Sequence, residues 1–361
     1  MPKVRILHQT PKALGYTFPP EWSRQEATWF SWPRPEGISF PGKYHTIPNN
    51  LGRIIREIAS RQKVYINVPN ENWAFIVRGV LDDCGVNLQR VKFFHIPTNE
   101  NWCRDHGPAF VVHRKKRRRA IVDWGFNAWG GKYPPYDSDD RVPTEIAKHL
   151  GLPVFYPQKP SGKGLVIMEG GAVEFNGAGT VLTTTDCLLN KNRNPDLTKE
   201  QIETYLKEYY GQEHVCWLTG GIEGDDTDGH VDDLARFLSP TKLVMGIQDD
   251  PKDVDYKILQ RARRQAEKLR DQSGRPFEII PIPMPDPVIH AGQRLPATYI
   301  NFLFINGACL VPTFGSKKKD KKALEILQSH LPRHRVIGID CRELIWGLGA
   351  IHCLTQQMPR A

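Results

Sequence analysis

The sequence predicts one closed α/β domain in which similar supersecondary units recur around an axis, in the manner of propeller blades. Three observations carry this. Helical periodicity alternates with short β-rich runs, strand–turn–strand segments recur at a regular spacing, and the two chain ends supply halves of a further unit.

The stretches HTIPNNLGRIIREIASRQ (45–62) and ENWAFIVRGVLDDCG (71–85) carry apolar residues at three- and four-residue intervals, which predicts helices. NPDLTKEQIETYLKEYYG and DYKILQRARRQAEKLRDQSG (255–274) read the same way, and both stop at a glycine. Between them lie the repeated strands. RDHGPAFVVHRKKRRRAIVDW places Asp105 before a Gly-Pro turn and a hairpin. MEGGAVEFNGAGTVLTT places Glu169 before a hairpin that turns at Asn176-Gly177. TDGHVDDLARFLSPTKLVMGI repeats the plan from Gly229, and TYINFLFINGACLVPTFG repeats it around Asn306-Gly307. With Asp105, Glu169, His230 and Asn301 as markers, the interval is roughly 60–70 residues. EATWFSWP (26–33) and GAIHCLTQQM from the two ends complete a fifth unit. No linker or low-complexity segment intervenes, so residues 1–361 are expected to form a single domain.

The chain has 361 residues, 40% hydrophobic and 25% charged, the balance of an ordinary globular protein. No apolar run reaches the roughly 20 residues that cross a bilayer. The N-terminal MPKVRILHQTPKALGY lacks the apolar core of a secretory signal, so a cytoplasmic location is expected. Seven cysteines without a CxxC pair point to free thiols in a reducing compartment. Lys and Arg number 49 against 40 Asp and Glu, a formal charge of +9. The excess gathers in HRKKRRR (113–119) and KKKDKK (317–322), both read as exposed turns. A nucleic-acid-binding protein remains an alternative on charge alone, with no binding motif to support it.

Against that basic background, GDDTDGHVDDLARF (224–237) packs five aspartates around one histidine. A metal site, a solvated loop and a pocket for an organic cation are all open readings. Read as an EF-hand, the twelfth position from Asp225 or Asp226 falls on Arg236 or Phe237, so that template fails. Were HVDDLARF a strand, His230 and Asp232 would share one face, Val231 and Asp233 the other, with Asp226 in the preceding loop. Guanidinium fits paired carboxylates because its planar N–H fork matches them bidentately. Its central carbon would then be open to a cysteine thiolate, with a histidine moving protons.

The motifs together resemble the agmatine deiminases of the guanidine-modifying (pentein) superfamily. The resemblance runs through PPEWSRQEATWFSWP, NWCRDHGPAF, DWGFNAWGG, MEGGAVEFNGAGTVLTTTDCLLNKNRNP, GDDTDGHVDD, TYINFLFINGACLVPTFG and GLGAIHCLTQQMP, in that order. It implies a five-bladed pseudo-symmetric α/β propeller (the pentein fold) built of ββαβ units. It also implies hydrolysis of agmatine to N-carbamoylputrescine and ammonia, within putrescine and polyamine synthesis. By motif, Cys353 corresponds to the nucleophile and His230 to the general acid and base. Asp105 and Asp232 correspond to the carboxylates gripping guanidinium, Glu169 to the acid orienting the histidine, and Asp226 to a substrate-contacting aspartate. The resemblance implies no metal and no organic cofactor, and a homo-oligomer. Among Trp32, Trp124 and Trp129, Trp32 is expected to cover the substrate's aliphatic chain or its distal amine, the latter through cation–π contact.

Three positions depart from the family pattern. His106 stands where threonine is usual, and Leu348 and Ala350 stand in GLGAIHC where GGGNIHC is usual. These changes keep open a deiminase of arginine or of peptidyl-arginine; an amidinotransferase, which shares the thiouronium intermediate but hands it to an amine, is a separate alternative.

Overall fold

The computed structural model describes residues 4–361. Met1 to Lys3, the start of the stretch read as lacking a secretory signal, lie outside the described residues.

Five sheets of three or four strands share one plan. Ala109–His113 runs antiparallel to Arg118–Val122, which pairs in parallel with Val154–Phe155. Val173–Phe175, Thr180–Thr184 and His214–Leu218 repeat this order, as do Ala235–Ser239, Lys242–Ile247 and Glu278–Pro283. Leu303–Ile305, Ala308–Thr313 and Arg335–Asp340 repeat it again. A parallel pair cannot be joined by a tight turn. Each parallel link therefore passes through a helix: Val142–Leu150, Lys199–Tyr210, Tyr256–Ala266 and Lys317–His330. The chain ends close the remaining sheet, with Thr355–Pro359 antiparallel to Gln25–Ser31. Lys63–Val68 and Val91–His95 then add in parallel, reached through helices Ile47–Ala59 and Glu71–Asp83. The result is a mixed α/β fold with the predicted repeat.

Helix boundaries follow local chemistry. Ile47–Ala59 buries Leu51, Ile54, Ile55 and Ile58, one stripe of a 3.6-residue period. Thr198 and Gln201 form a capping box, and Gly211 ends that helix at a φ of 64°. The helix expected over 255–274 stops at Ala266. Beyond it Asp271 accepts from the backbone N–H of Ser273 (2.8 Å) and Arg275 (2.9 Å), a turn that competes with helical bonding.

Two expectations need correction. KKKDKK is the first half of the helix Lys317–His330, which buries Ala323 and Leu327 four residues apart. Its lysines line the solvent side, Lys319 pairing with Asp286 at 2.9 Å. HVDDLARF is not a continuous strand: Val231–Asp233 forms a 3₁₀ turn and the strand begins at Ala235. Val231 turns into the core while Asp233 joins His230 and Asp232 in the site. HRKKRRR sits at a hairpin tip, as expected. All seven cysteines are free thiols, and among the described residues no helix is long and apolar enough to cross a membrane.

Candidate active site

Every unit delivers its polar residues from the same place, the loop just before its first strand. Asp105 lies on the short helix Cys103–His106, and Glu169 precedes the turn Gly170–Ala172. His230, Asp232 and Asp233 surround the next turn, Asn301 precedes Leu303–Ile305, and Cys353 precedes Thr355–Pro359. Backbone bonds lock these loops together: Arg104 N donates to the Cys353 carbonyl at 3.1 Å, and His352 N to Asn301 Oδ1 at 3.0 Å.

Cys353 Sγ lies 3.7 Å from Asp232 Oδ2 and receives the Asn301 amide at 3.0 Å. The same amide reaches Asp233 Oδ1 at 2.9 Å. His230 faces Glu169 Oε2 through Nε2 at 3.5 Å, and through Nδ1 faces Asp105 at 3.8 Å and Asp232 at 3.9 Å. Glu169 is held from behind by Arg193 Nε at 2.8 Å, both side chains fully buried. Gly171 lies against this cluster. A methyl there would sit 2.5 Å from His230 Nδ1 and 3.0 Å from Asp105 Oδ1, so only glycine fits.

The charges perturb one another strongly. Burial above all, then Asp232, Asp233 and Asp105, pushes the Cys353 thiol well above its ordinary pKa. The neighbouring carboxylates add to desolvation, which is the larger cause. Burial pulls the His230 imidazolium down, yet Asp105, Cys187 and Glu169 outweigh it and hold the pKa well above the usual histidine value. Asp105 rises to about 6, first through burial, with Asp232 and Glu169 adding to it. Burial raises Asp232 too, but His352, His230 and Arg236 bring it below the usual carboxylate range. Burial and then the Asp232 charge push Asp233 up as well, so the Cys353 thiol sits among crowded carboxylates that favour its protonated form.

A cavity of about 290 Å³ opens onto Cys353 and Asp105. Trp102, Trp129, Trp346 and Leu348 form apolar wall, and Asp226 and Glu100 add carboxylates. No lysine or arginine is among the lining residues. Trp129 donates its indole N–H to Asp105 Oδ2 at 3.0 Å from a backbone at φ 56°, a region bulky residues rarely enter. The next residue, Gly130, is also left-handed, and a methyl there would strike the Asn192 side chain at 2.3 Å. Trp32 does not line this cavity; it packs in the largest hydrophobic cluster beside Phe40 and Trp102. Trp124 packs against the tilted rings of Tyr209 and Tyr210 instead.

The five aspartates divide their work. Asp225 folds the loop, accepting from the backbone of Thr227 (2.8 Å) and Gly229 (2.9 Å). Asp228 pairs with Lys132 at 2.9 Å and with Arg193. Asp226 faces the cavity and accepts the Tyr133 hydroxyl. Asp232 and Asp233 reach Cys353. Asp233, Asn301, His352, Arg193, Trp102 and Trp346 escaped the sequence reading of the site. Asn301 alone carried a signal, since it occupies the repeat position that Asp105, Glu169 and His230 share.

Among the described residues, two donor sets are close enough to hold a cation, each with its atoms within 4.8 Å: Glu169, Cys187 and His230, and Asp232, Asp233 and Cys353. Both are already engaged by protein groups, Arg193 on Glu169 and Asn301 on Asp233. A metal would have to displace these bonds.

Residues 17–359 match the family described as Porphyromonas-type peptidyl-arginine deiminase. The agmatine deiminase of Pseudomonas syringae pv. tomato is 35% identical over 379 aligned positions, covering 99% of each chain. The agmatine deiminase of Enterococcus faecalis superposes with a TM-score of 0.89 at 30% identity, covering 99% of this chain and 100% of that one. A cysteine-to-serine variant of C. jejuni agmatine deiminase, solved with substrate bound, gives a TM-score of 0.84 at 33% identity, covering 95% and 96%. With matches this long at this identity, the chain belongs to the agmatine deiminases of the Porphyromonas-type peptidyl-arginine deiminase family.

Proposed function

We propose that the protein is an enzyme that hydrolyses agmatine to N-carbamoylputrescine and ammonia through a covalent intermediate on Cys353. The observation that carries this reading is the cavity itself, a buried thiol at the foot of an aromatic channel lined with carboxylates and free of lysine and arginine. Such a lining suits a substrate that is cationic at both ends. It offers no cationic clamp to the α-carboxylate of free arginine, which disfavours that alternative.

In the mechanism, Asp105 and Asp232 hold the guanidinium flat, and Asp226 contacts the chain beyond it. The incoming positive charge offsets the surplus carboxylates, so the Cys353 proton is released when substrate arrives. The thiolate adds to the guanidinium carbon, and His230, held by Glu169, gives a proton to the departing ammonia. A thiouronium on Cys353 remains. Water deprotonated by His230 attacks it, the sulfur leaves, and the ureido product is released. The reading includes a five-bladed propeller of ββαβ units, a single catalytic domain over residues 1–361, and a cytoplasmic homo-oligomer in polyamine synthesis. Sedimentation tests the oligomer.

The test is ammonia release from agmatine, arginine and arginine peptides. Agmatine should be preferred, and Cys353→Ser should abolish turnover. Intact mass of the native enzyme quenched during turnover should show the adduct. Undiminished turnover by Cys353→Ser would sink the mechanism, and preference for a peptide would sink the substrate.

A further inference from the structure

The proposed mechanism uses Asp232 without explaining what aims it. One oxygen, Oδ2, accepts His352 Nδ1 at 2.6 Å and the Asn301 amide at 3.3 Å. The other, Oδ1, is buried without a partner and lies 3.9 Å from His230 Nδ1. A carboxyl group turns easily about its last torsion, so nothing intrinsic to Asp232 selects this orientation.

His352 supplies the constraint. Its second ring nitrogen, Nε2, lies 2.7 Å from Glu21 Oε2. Ionised carboxylates only accept, so between Asp232 and Glu21 both ring nitrogens donate. Glu21 is itself immobilised. Its Oε2 also accepts Arg236 at 3.0 Å and Arg104 at 3.3 Å, and its Oε1 accepts the Phe304 backbone N–H at 2.7 Å. Glu21, Arg104, Arg236 and His352 are all at least 94% buried, so water does not screen the chain.

We propose that Glu21 and His352 form a positioning strut that fixes the carboxylate plane of Asp232 and presents Oδ1 to the guanidinium. This rests on Asp232 being a guanidinium-gripping carboxylate. Neither Glu21 nor His352 touches the substrate. Both act through Asp232, and the planar imidazole transmits the fixed position of Glu21 across to it. Glutamine at 352 carries its donors on one nitrogen and cannot span the two carboxylates.

The full-length enzyme with millimolar methylguanidinium as probe separates this from a purely structural network. The readout is protection against thermal unfolding, taken as the methylguanidinium concentration that gives half the melting shift, alongside agmatine kcat and KM. His352→Gln should weaken protection about 10- to 100-fold, as expected for losing a hydrogen bond to a charged group. Glu21→Gln should weaken it in the same direction, and KM for agmatine should rise in both variants. In an Asp232→Asn background, His352→Gln should add less than about threefold, since the strut then has nothing to aim. Should His352→Gln fail to fold by circular dichroism, Glu21→Gln carries the test. Native-like protection in the folded variants would overturn the strut, as would an undiminished effect of His352→Gln in the Asp232→Asn background. If methylguanidinium fails to protect the unmodified enzyme, the guanidine reading of the site falls, and the strut with it.

Discussion

Trp129 and Asp105 meet through a single 3.0 Å hydrogen bond, indole N–H to Oδ2, while Asp105 Oδ1 accepts the Gly171 backbone at 2.9 Å. Both oxygens of a carboxylate proposed to grip guanidinium are thereby fixed. Trp129→Phe keeps the ring and removes the donor. We expect kcat/KM for agmatine to fall about 10- to 100-fold, the cost of a hydrogen bond to a charged group. Unchanged steady-state constants would show that Asp105 is held without the indole.

Gly171→Ala tests how tightly the histidine is packed. The added methyl would lie 2.5 Å from His230 Nδ1, 3.0 Å from Asp105 Oδ1 and 3.1 Å from Asp232 Oδ1, all buried side chains. Overpacking costs about 1–3 kcal/mol, and displacement of the histidine should lower kcat more than 100-fold. A calorimetric melt together with ammonia release checks both. Wild-type turnover would mean that His230 moves freely, contrary to its packing.

Asp123 gives a pH prediction with a definite sign. Burial raises its pKa to about 7, with Asp140 adding to the effect against the Thr144 hydroxyl. In the folded protein it keeps a proton that the unfolded chain has lost above about pH 4. Its share of stability is therefore full below pH 4 and is lost as pH rises through about 7. Asp123→Asn should melt higher than the native enzyme at pH 8.5, and the gain should shrink at pH 5. A gain of equal size at both pH values would contradict the assignment.

Leu348 stands at φ 66°, in the left-handed region that favours glycine, and it lines the cavity beside Cys353. This conformation costs a non-glycine residue roughly 1–2 kcal/mol. Leu348→Gly should relieve that strain and widen the channel. The ratio of kcat/KM for agmatine over arginine peptides should then narrow, because Leu348 no longer walls off bulky groups. A parallel assay of the two substrates decides, and an unchanged ratio would remove Leu348 from the specificity account.

Much of the architecture was legible from the letters. Strand turns at Asn176-Gly177 and Asn306-Gly307, glycine stops and apolar stripes are local signals, and they set the repeat and the closure of the chain ends. Local signals also mislead where tertiary packing wins. The lysine run 317–322 looked like a turn because its charges hide the burial of Ala323 and Leu327 beyond it. Trp32 resembled a cavity wall because aromatic character does not say which way a ring points.

The order of motifs along the chain determined the family and the repeat, and it carries the proposal of a reacting set of Cys353, His230, Glu169, Asp105, Asp232 and Asp226. Only the folded chain decided that Asp233 turns inward with Asp232, that Trp129 rather than Trp32 faces the cavity, and that Glu21 reaches Asp232 through His352 from more than 200 positions away. The physical reason is that side-chain direction and long-range hydrogen bonding depend on how separate loops converge, and neither leaves a trace in nearby residues.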